Sequence, residues 1–139
     1  MANSIADVMR ETVHTVAPDA TLREAAEIMR VQDVGDVVVT ESGHLRGILT
    51  DRDIVIRCIA VGGDPGTVRA GEICSSEVVT VPRQSSLRDA VHTMRTGTVR
   101  RLPVVEGDEV VGVVTMGDLA MAIDDRSALA DISAAAPNR

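Results

Sequence analysis

Gly47-Ile48-Leu49-Thr50-Asp51-Arg52-Asp53 reads as the end of a buried strand that turns into a helix. Ile48 and Leu49 supply the aliphatic strand end. Thr50 and Asp53 have the spacing of an N-cap hydroxyl and an N3 acid, which together satisfy free amides of a first helical turn. The same pattern returns 65 positions later as Gly112-Val113-Val114-Thr115-Met116-Gly117-Asp118. A helix start that follows a strand gathers unpaired N–H groups at the positive end of the dipole, so it suits an anion. Two readings stand side by side: the turns only cap helices, or they cap helices and also hold a ligand.

The flanking sequence carries the same offset. Comparing residues 13–53 with 78–118 gives 14 identities in 41 positions, without an insertion. Val16 matches Val81, Leu22 Leu87, Ala25 Ala90, Met29 Met94 and Val39 Val104. The first copy begins with a possible helical turn at Asp7-Val8-Met9. Strand-like alternation follows from Thr12 to Val16, stopped by Pro18. Thr21-Leu22-Arg23-Glu24 is a capping box, and Leu22, Ala25, Ala26, Ile28 and Met29 share one helical face. Val37-Val38-Val39 is a strand, Glu41 to His44 a turn, and Leu45 to Leu49 the returning strand. Thr50 opens a helix to about Val61. Ser86 to Asp89 and Glu106 to Glu109 repeat the cap and the turn. Pro103 is placed at a strand start, where its missing N–H costs no ladder bond.

The fold class expected is therefore α/β (α+β). Two repeats, each strand-helix-strand-strand-helix, pack sheet to sheet about a pseudo-twofold axis, because one copy alone cannot cover both faces of so small a sheet. The boundaries are repeat 1 at 5–61, a Gly/Pro linker at 62–69, repeat 2 at 70–125, and a partly disordered tail at 126–139.

Composition narrows the function. The 139 residues suit one compact domain with a core large enough to need no metal or disulfide. The chain holds no Phe, Tyr or Trp, so it cannot build aromatic platforms for single-stranded nucleic acid. Its basic residues are 14 arginines and no lysine, which excludes a Schiff-base lysine. A net charge of −7 argues against nucleic acid or an anionic membrane as partner. The charge is uneven: residues 1–66 carry 11 acids against 6 arginines, residues 67–139 carry 10 against 8. The second half is the better place for a phosphate. No apolar run reaches membrane-spanning length, no signal peptide opens the chain, and two cysteines without metal spacing suit a reduced cytoplasm.

With both motifs and the repeat in view, the chain resembles a tandem CBS (cystathionine-β-synthase) domain pair, or Bateman module, of the stand-alone bacterial type. Arg100-Arg101-Leu102-Pro103-Val104-Val105 is similar to the strand after that family's first helix. The resemblance covers about residues 5–125. It implies a regulatory module, not an enzyme, that binds an adenosyl ligand (AMP, ADP, ATP or S-adenosylmethionine) in clefts between the repeats. No cofactor is required. It also implies that the Asp of Thr-x-x-Asp holds ribose hydroxyls, that the Thr contacts ribose or phosphate, and that the residues before the later strand reach the phosphate.

On that basis the stronger site is Thr115, Asp118 and Arg101 with Arg100, Leu102 and Pro103, completed by main chain from Met9 to Thr15. The other is Thr50, Asp53 and Arg52 with Cys74 to Thr80. Arg52 also suits a surface pair with Asp51 or Asp53, the more ordinary role for an arginine there. His14, His44 and His92 are too scattered for a metal site. Cys58 reads as a small buried hydrophobe. The apolar faces at Ile54-Val55-Ile56 and Leu119-Met121-Ile123 suit a homodimer or intrachain packing. The competing function is a protein-interaction module with no nucleotide bound.

Overall fold

The computed structural model describes residues 4–76 and 78–123. The tail at 126–139 lies outside them. Two capping signals in the sequence start helices as expected. The Thr21 hydroxyl accepts from the Glu24 N–H at 3.2 Å, and the Glu24 carboxylate accepts from the Thr21 N–H at 3.0 Å. This opens α1, Leu22–Gln32, which buries Leu22, Ala25 and Met29. The Ser86 hydroxyl accepts from the Asp89 N–H at 3.1 Å and opens α4, Leu87–Gly97, which buries Ala90 and Met94.

Each helix is followed by a hairpin. β2 (Asp36–Glu41) pairs with β3 (His44–Thr50) around a turn in which Ser42 and Gly43 both take positive φ, and β5 (Arg101–Glu106) pairs with β6 (Glu109–Thr115). A two-residue strand joins each hairpin in parallel: β1 (Thr15–Val16) beside β2, β4 (Val81–Pro82) beside β5. The result is two three-stranded sheets, ordered β1-β2-β3 and β4-β5-β6. The first strand is shorter than the alternation from Thr12 suggested.

Pro103 corrects another expectation. It is the third residue of β5, the central strand, and pairs with Val113. Its counterpart Val38 donates its N–H to His14 O at 2.9 Å and pairs with Thr15. Proline has no N–H to give. The pair equivalent to Thr15–Val38 is missing in the second sheet, whose parallel ladder starts one residue later at Val81–Val104.

The helix after Thr50 also departs from the expected run to Val61. α2, Asp51–Ile54, continues as π-helix through Val55–Ile59. Cys58 is buried there, 1% exposed, as a core residue. α5, Met116–Ile123, follows Thr115 in the second copy.

The compact units do not follow the sequence repeats at their leading segments. Among the described residues, one unit gathers those from His14 to Val78; the other joins those up to Val13 to those from Val79 to Ile123. Each has its own core. Val16, Leu22, Ala25, Met29, Val37, Val39, Leu49, Ile54 and Cys58 close around Ala70 in the first. Val81, Ala90, Met94, Leu102, Val104, Val114 and Leu119 close around Ile5 in the second. Ile5 and Ala70 are equivalent positions, both fully buried. The short turn at Ile5–Asp7 is tied down by Ile5 N–H to Ser85 O and Ala6 N–H to Arg83 O. The linker and α3, Ala70–Ile73, are held likewise by Leu22 N–H to Val68 O and Ala70 N–H to Ala20 O.

Candidate functional site

The exchanged segments meet the two motifs. Arg10 N–H donates to Val113 O at 2.8 Å, and Val113 N–H donates back to Arg10 O at 3.0 Å. In the first unit Ser75 N–H donates to Ile48 O at 3.0 Å, and Ile48 N–H to Ser75 O at 3.3 Å. The motif glycines permit this approach. A Cβ on Gly112 would stand 2.7 Å from Met9 Sδ and 2.8 Å from Arg10 O. A Cβ on Gly47 would stand 2.4 Å from Ser75 O and 2.7 Å from Cys74 Sγ. Real Cβ atoms do not pack so closely, so the glycines are steric requirements of the added segment. The second aliphatic of each motif is core: Leu49 and Val114 are fully buried.

The Thr and Asp form full capping boxes at both helix starts. Asp118 N–H donates to Thr115 Oγ1 at 3.1 Å, and Thr115 N–H to Asp118 Oδ2 at 2.9 Å. Asp53 N–H donates to Thr50 Oγ1 at 3.1 Å, and Thr50 N–H to Asp53 Oδ2 at 2.9 Å. The capping reading is thus met in both copies. Each acid keeps a second oxygen that takes no hydrogen bond among the described residues, on a side chain 17% exposed.

The charges beside these acids differ. Asp118 Oδ2 lies 3.7 Å from Arg10 Nε. Asp53 Oδ1 lies 3.9 Å from Arg57 Nε, and Arg57 also donates to Ile73 O at 2.9 Å. Sequence reasoning had named neither arginine. Arg57 was readable as an i,i+4 partner of Asp53; Arg10 had no local signal. The expected surface pair of Arg52 with Asp51 or Asp53 is not formed. Among the described residues Arg52 makes no ion pair, and only its backbone N–H reaches Asp51 Oδ1, at 2.8 Å.

The other expected site residues divide between the units. Arg101 pairs in register with Thr115, and Arg100 O accepts from Met116 N–H at 2.8 Å, so both arginines border the second motif. Leu102 and Pro103 follow in β5 with buried side chains. Thr15 belongs to the unit of Thr50 and Asp53, and Thr80 to that of Thr115 and Asp118. Cys74 packs against Gly47 half-buried. Burial pushes its thiol up from the ordinary value and Asp53 adds to the rise, while Arg46 and Arg57 oppose it. Among the described residues no three His, Cys, Asp or Glu side chains gather as a metal set.

The pattern of the CBS domain family matches residues 5–59 and again residues 70–125. The chain belongs to the CBS domain family. It is a CBS pair, similar to the CBS domain-containing protein YhcV of Bacillus subtilis, with 43% identity over 119 residues, 86% of this chain and 84% of that one. It is 38% identical over 115 residues to Hypoxic response protein 1 of Mycobacterium tuberculosis, covering 82% of this chain and 80% of that one. A crystal structure of Hypoxic Response Protein I, described with two coordinated zinc ions, superposes with a TM-score of 0.77 at 37% identity, covering 84% and 96% of the two chains. The CBS-domain containing protein ATU1752 of Agrobacterium tumefaciens gives a TM-score of 0.79 at 29% identity, covering 89% and 96%.

Within this CBS pair the two motifs differ most in charge. Around the second stand Arg10, Arg100 and Arg101. The equivalent positions around the first are Ser75, Gly35 and Asp36. The first motif has Arg52 and Arg57 where the second has Gly117 and Ala122. Among the described residues no helix is long and apolar enough to cross a membrane.

Proposed function

We propose that this CBS pair is a regulatory module that binds an adenine nucleotide or a related adenosyl ligand at the Thr115–Asp118 turn. One observation carries the reading. Asp118 caps α5 with Oδ2 and keeps Oδ1 without a hydrogen bond among the described residues, beside a half-exposed arginine. A carboxylate held this way can accept from two adjacent hydroxyls, as on a ribose, without giving up its cap. In this reading Arg100 and Arg101, which border the motif, supply the phosphate contacts, and Leu102 and Pro103 follow them along β5 as further ligand-binding residues. Thr50, Asp53 and Arg52 form the weaker counterpart, with Thr15 in β1 and Thr80 just before β4 as further candidate contacts.

In this reading the module needs no cofactor and acts by binding a regulatory ligand, not by catalysis. It works in the cytoplasm, where Cys58 and Cys74 stay free thiols. Val55, Ile56 and Ile59 are about half exposed on one helix, and Ile123, with the less exposed Met121, on another, which suits a homodimer. Through that dimer the module would regulate a protein target.

Thermal melting followed by far-UV circular dichroism tests the reading, since the chain lacks aromatic fluorophores. A ligand that binds only the folded state at 100 times its Kd adds about 2.7 kcal/mol. At least one of AMP, ADP, ATP, adenosine and S-adenosylmethionine should raise the midpoint. If none does at millimolar concentration, the protein is an interaction module without a nucleotide.

A further inference from the structure

The leading segment places a cation at only one of the two motifs. Arg10 and Ser75 are equivalent in sequence and in structure: each exchanges two main-chain hydrogen bonds with the residue after its motif glycine. Arg10 brings a guanidinium to Asp118, whereas Ser75 brings none to Asp53.

From this we infer that Arg10 is the charge-discriminating residue of the second motif, selecting a phosphorylated adenosyl ligand over the bare nucleoside. The inference rests on the adenosyl reading above and adds a residue and a selectivity to it.

Two features suit Arg10 to that role. Its backbone is clamped to Val113 on both sides of the peptide, so the site does not move when the side chain does. Its side chain is loosely held: the contact to Asp118 is 3.7 Å long and the arginine is 57% exposed. An ion pair this long, with its arginine largely in solvent, contributes little. A phosphate can therefore draw the guanidinium off the carboxylate, because two charged oxygens offer a bidentate fork. The same movement releases Asp118 Oδ2 from its cationic neighbour and leaves the carboxylate to the ribose. Arg57 at the first motif is less available, being anchored to Ile73 O as well as facing Asp53. Asp36, at the position of Arg101, adds a negative charge to that side. The second motif is thus the one equipped for an anion, with Arg10 supplied from the far end of the chain.

Calorimetric titration of adenosine and AMP into wild type, Arg10→Ser and Arg10→Lys tests this. Arg10→Ser installs the residue of the other repeat. It should weaken AMP by about tenfold or more, the scale of a lost charge-assisted hydrogen bond, and adenosine by less than about twofold. Arg10→Lys keeps the charge and should retain most of the AMP affinity. Melting curves check that both variants fold. Equal losses for AMP and adenosine, or no loss for either, overturn the role of Arg10 while leaving the adenosyl reading intact. If wild type binds neither compound, that reading fails and this inference falls with it. An Arg10→Lys variant that binds AMP no better than Arg10→Ser would also overturn charge discrimination.

Discussion

Gly112 and Met9 lie so close that a Cβ on the glycine would stand 2.7 Å from the methionine sulfur. Residues more than a hundred positions apart thus meet at the motif, and the glycine exists for that meeting. Gly47 stands in the same relation to Cys74 and Ser75.

Alanine at Gly112 or Gly47 should therefore destabilise the fold by overpacking, by about 1–3 kcal/mol. Gly47→Ala should cost more, because its nearest contact is a backbone oxygen at 2.4 Å, whereas Gly112 first meets a flexible thioether. Urea unfolding followed by circular dichroism measures both. Wild-type stability in Gly47→Ala would mean that the segment at Cys74 and Ser75 does not sit against β3.

Pro103→Val restores the N–H that Val38 uses in the first sheet. The new amide should exchange slowly with solvent, as should the Val38 amide that is bonded to His14 O, and the parallel ladder should lengthen by the missing pair. The net stability change should be small. One hydrogen bond adds about 1 kcal/mol, and loss of proline's restraint on the unfolded chain removes about 0.4–1 kcal/mol. Hydrogen exchange read by NMR decides it; an amide at position 103 as fast as those of the hairpin turns refutes the alignment of the two sheets.

Cys74 should alkylate slowly at neutral pH. Burial raises its thiol pKa, so the reactive thiolate is scarce at pH 7 and grows only as pH passes the ordinary thiol range. The sign is that of an acid whose charged form is disfavoured by the fold, so the modification rate should climb with pH. Mass spectrometry of iodoacetamide-treated protein should show Cys58 slower still in the native state and both fast in urea. Rapid labelling of Cys74 at pH 7 contradicts its packing against Gly47.

Most of the fold was legible because its signals are local. Thr21 with Glu24, Ser86 with Asp89, and the two Thr-x-x-Asp turns announce helix starts within four residues. The offset of 65 then doubles every element. What could not be read depends on distant chain. Gly47 and Gly112 look like ordinary strand glycines until the segments at Ser75 and Arg10 are seen against them. Ile5 looks like a terminal residue, yet it completes the second core. The π-helical stretch at Val55–Ile59 carries no sequence mark that separates it from an α-helix. Of the site, the capping geometry of Thr50, Asp53, Thr115 and Asp118 was written in their spacing. Neither arginine beside the acids, Arg10 or Arg57, was among the expected site residues. In the sequence Arg10 stands beside Glu11 and Thr12, where a lone cation looks solvated. Pro103 was misplaced because strand ends, unlike caps, carry no sharp marker.

The central claim is that Asp118 holds the ribose of an adenosyl ligand. Isothermal titration of AMP into wild type and Asp118→Ala tests it most directly, with Asp53→Ala as the matched loss of a helix cap. The account predicts that Asp118→Ala weakens AMP by about 1.5–3 kcal/mol, the range for a hydrogen bond to a charged group, while Asp53→Ala changes the affinity of the stronger site far less. Tight AMP binding that survives Asp118→Ala unchanged would contradict it.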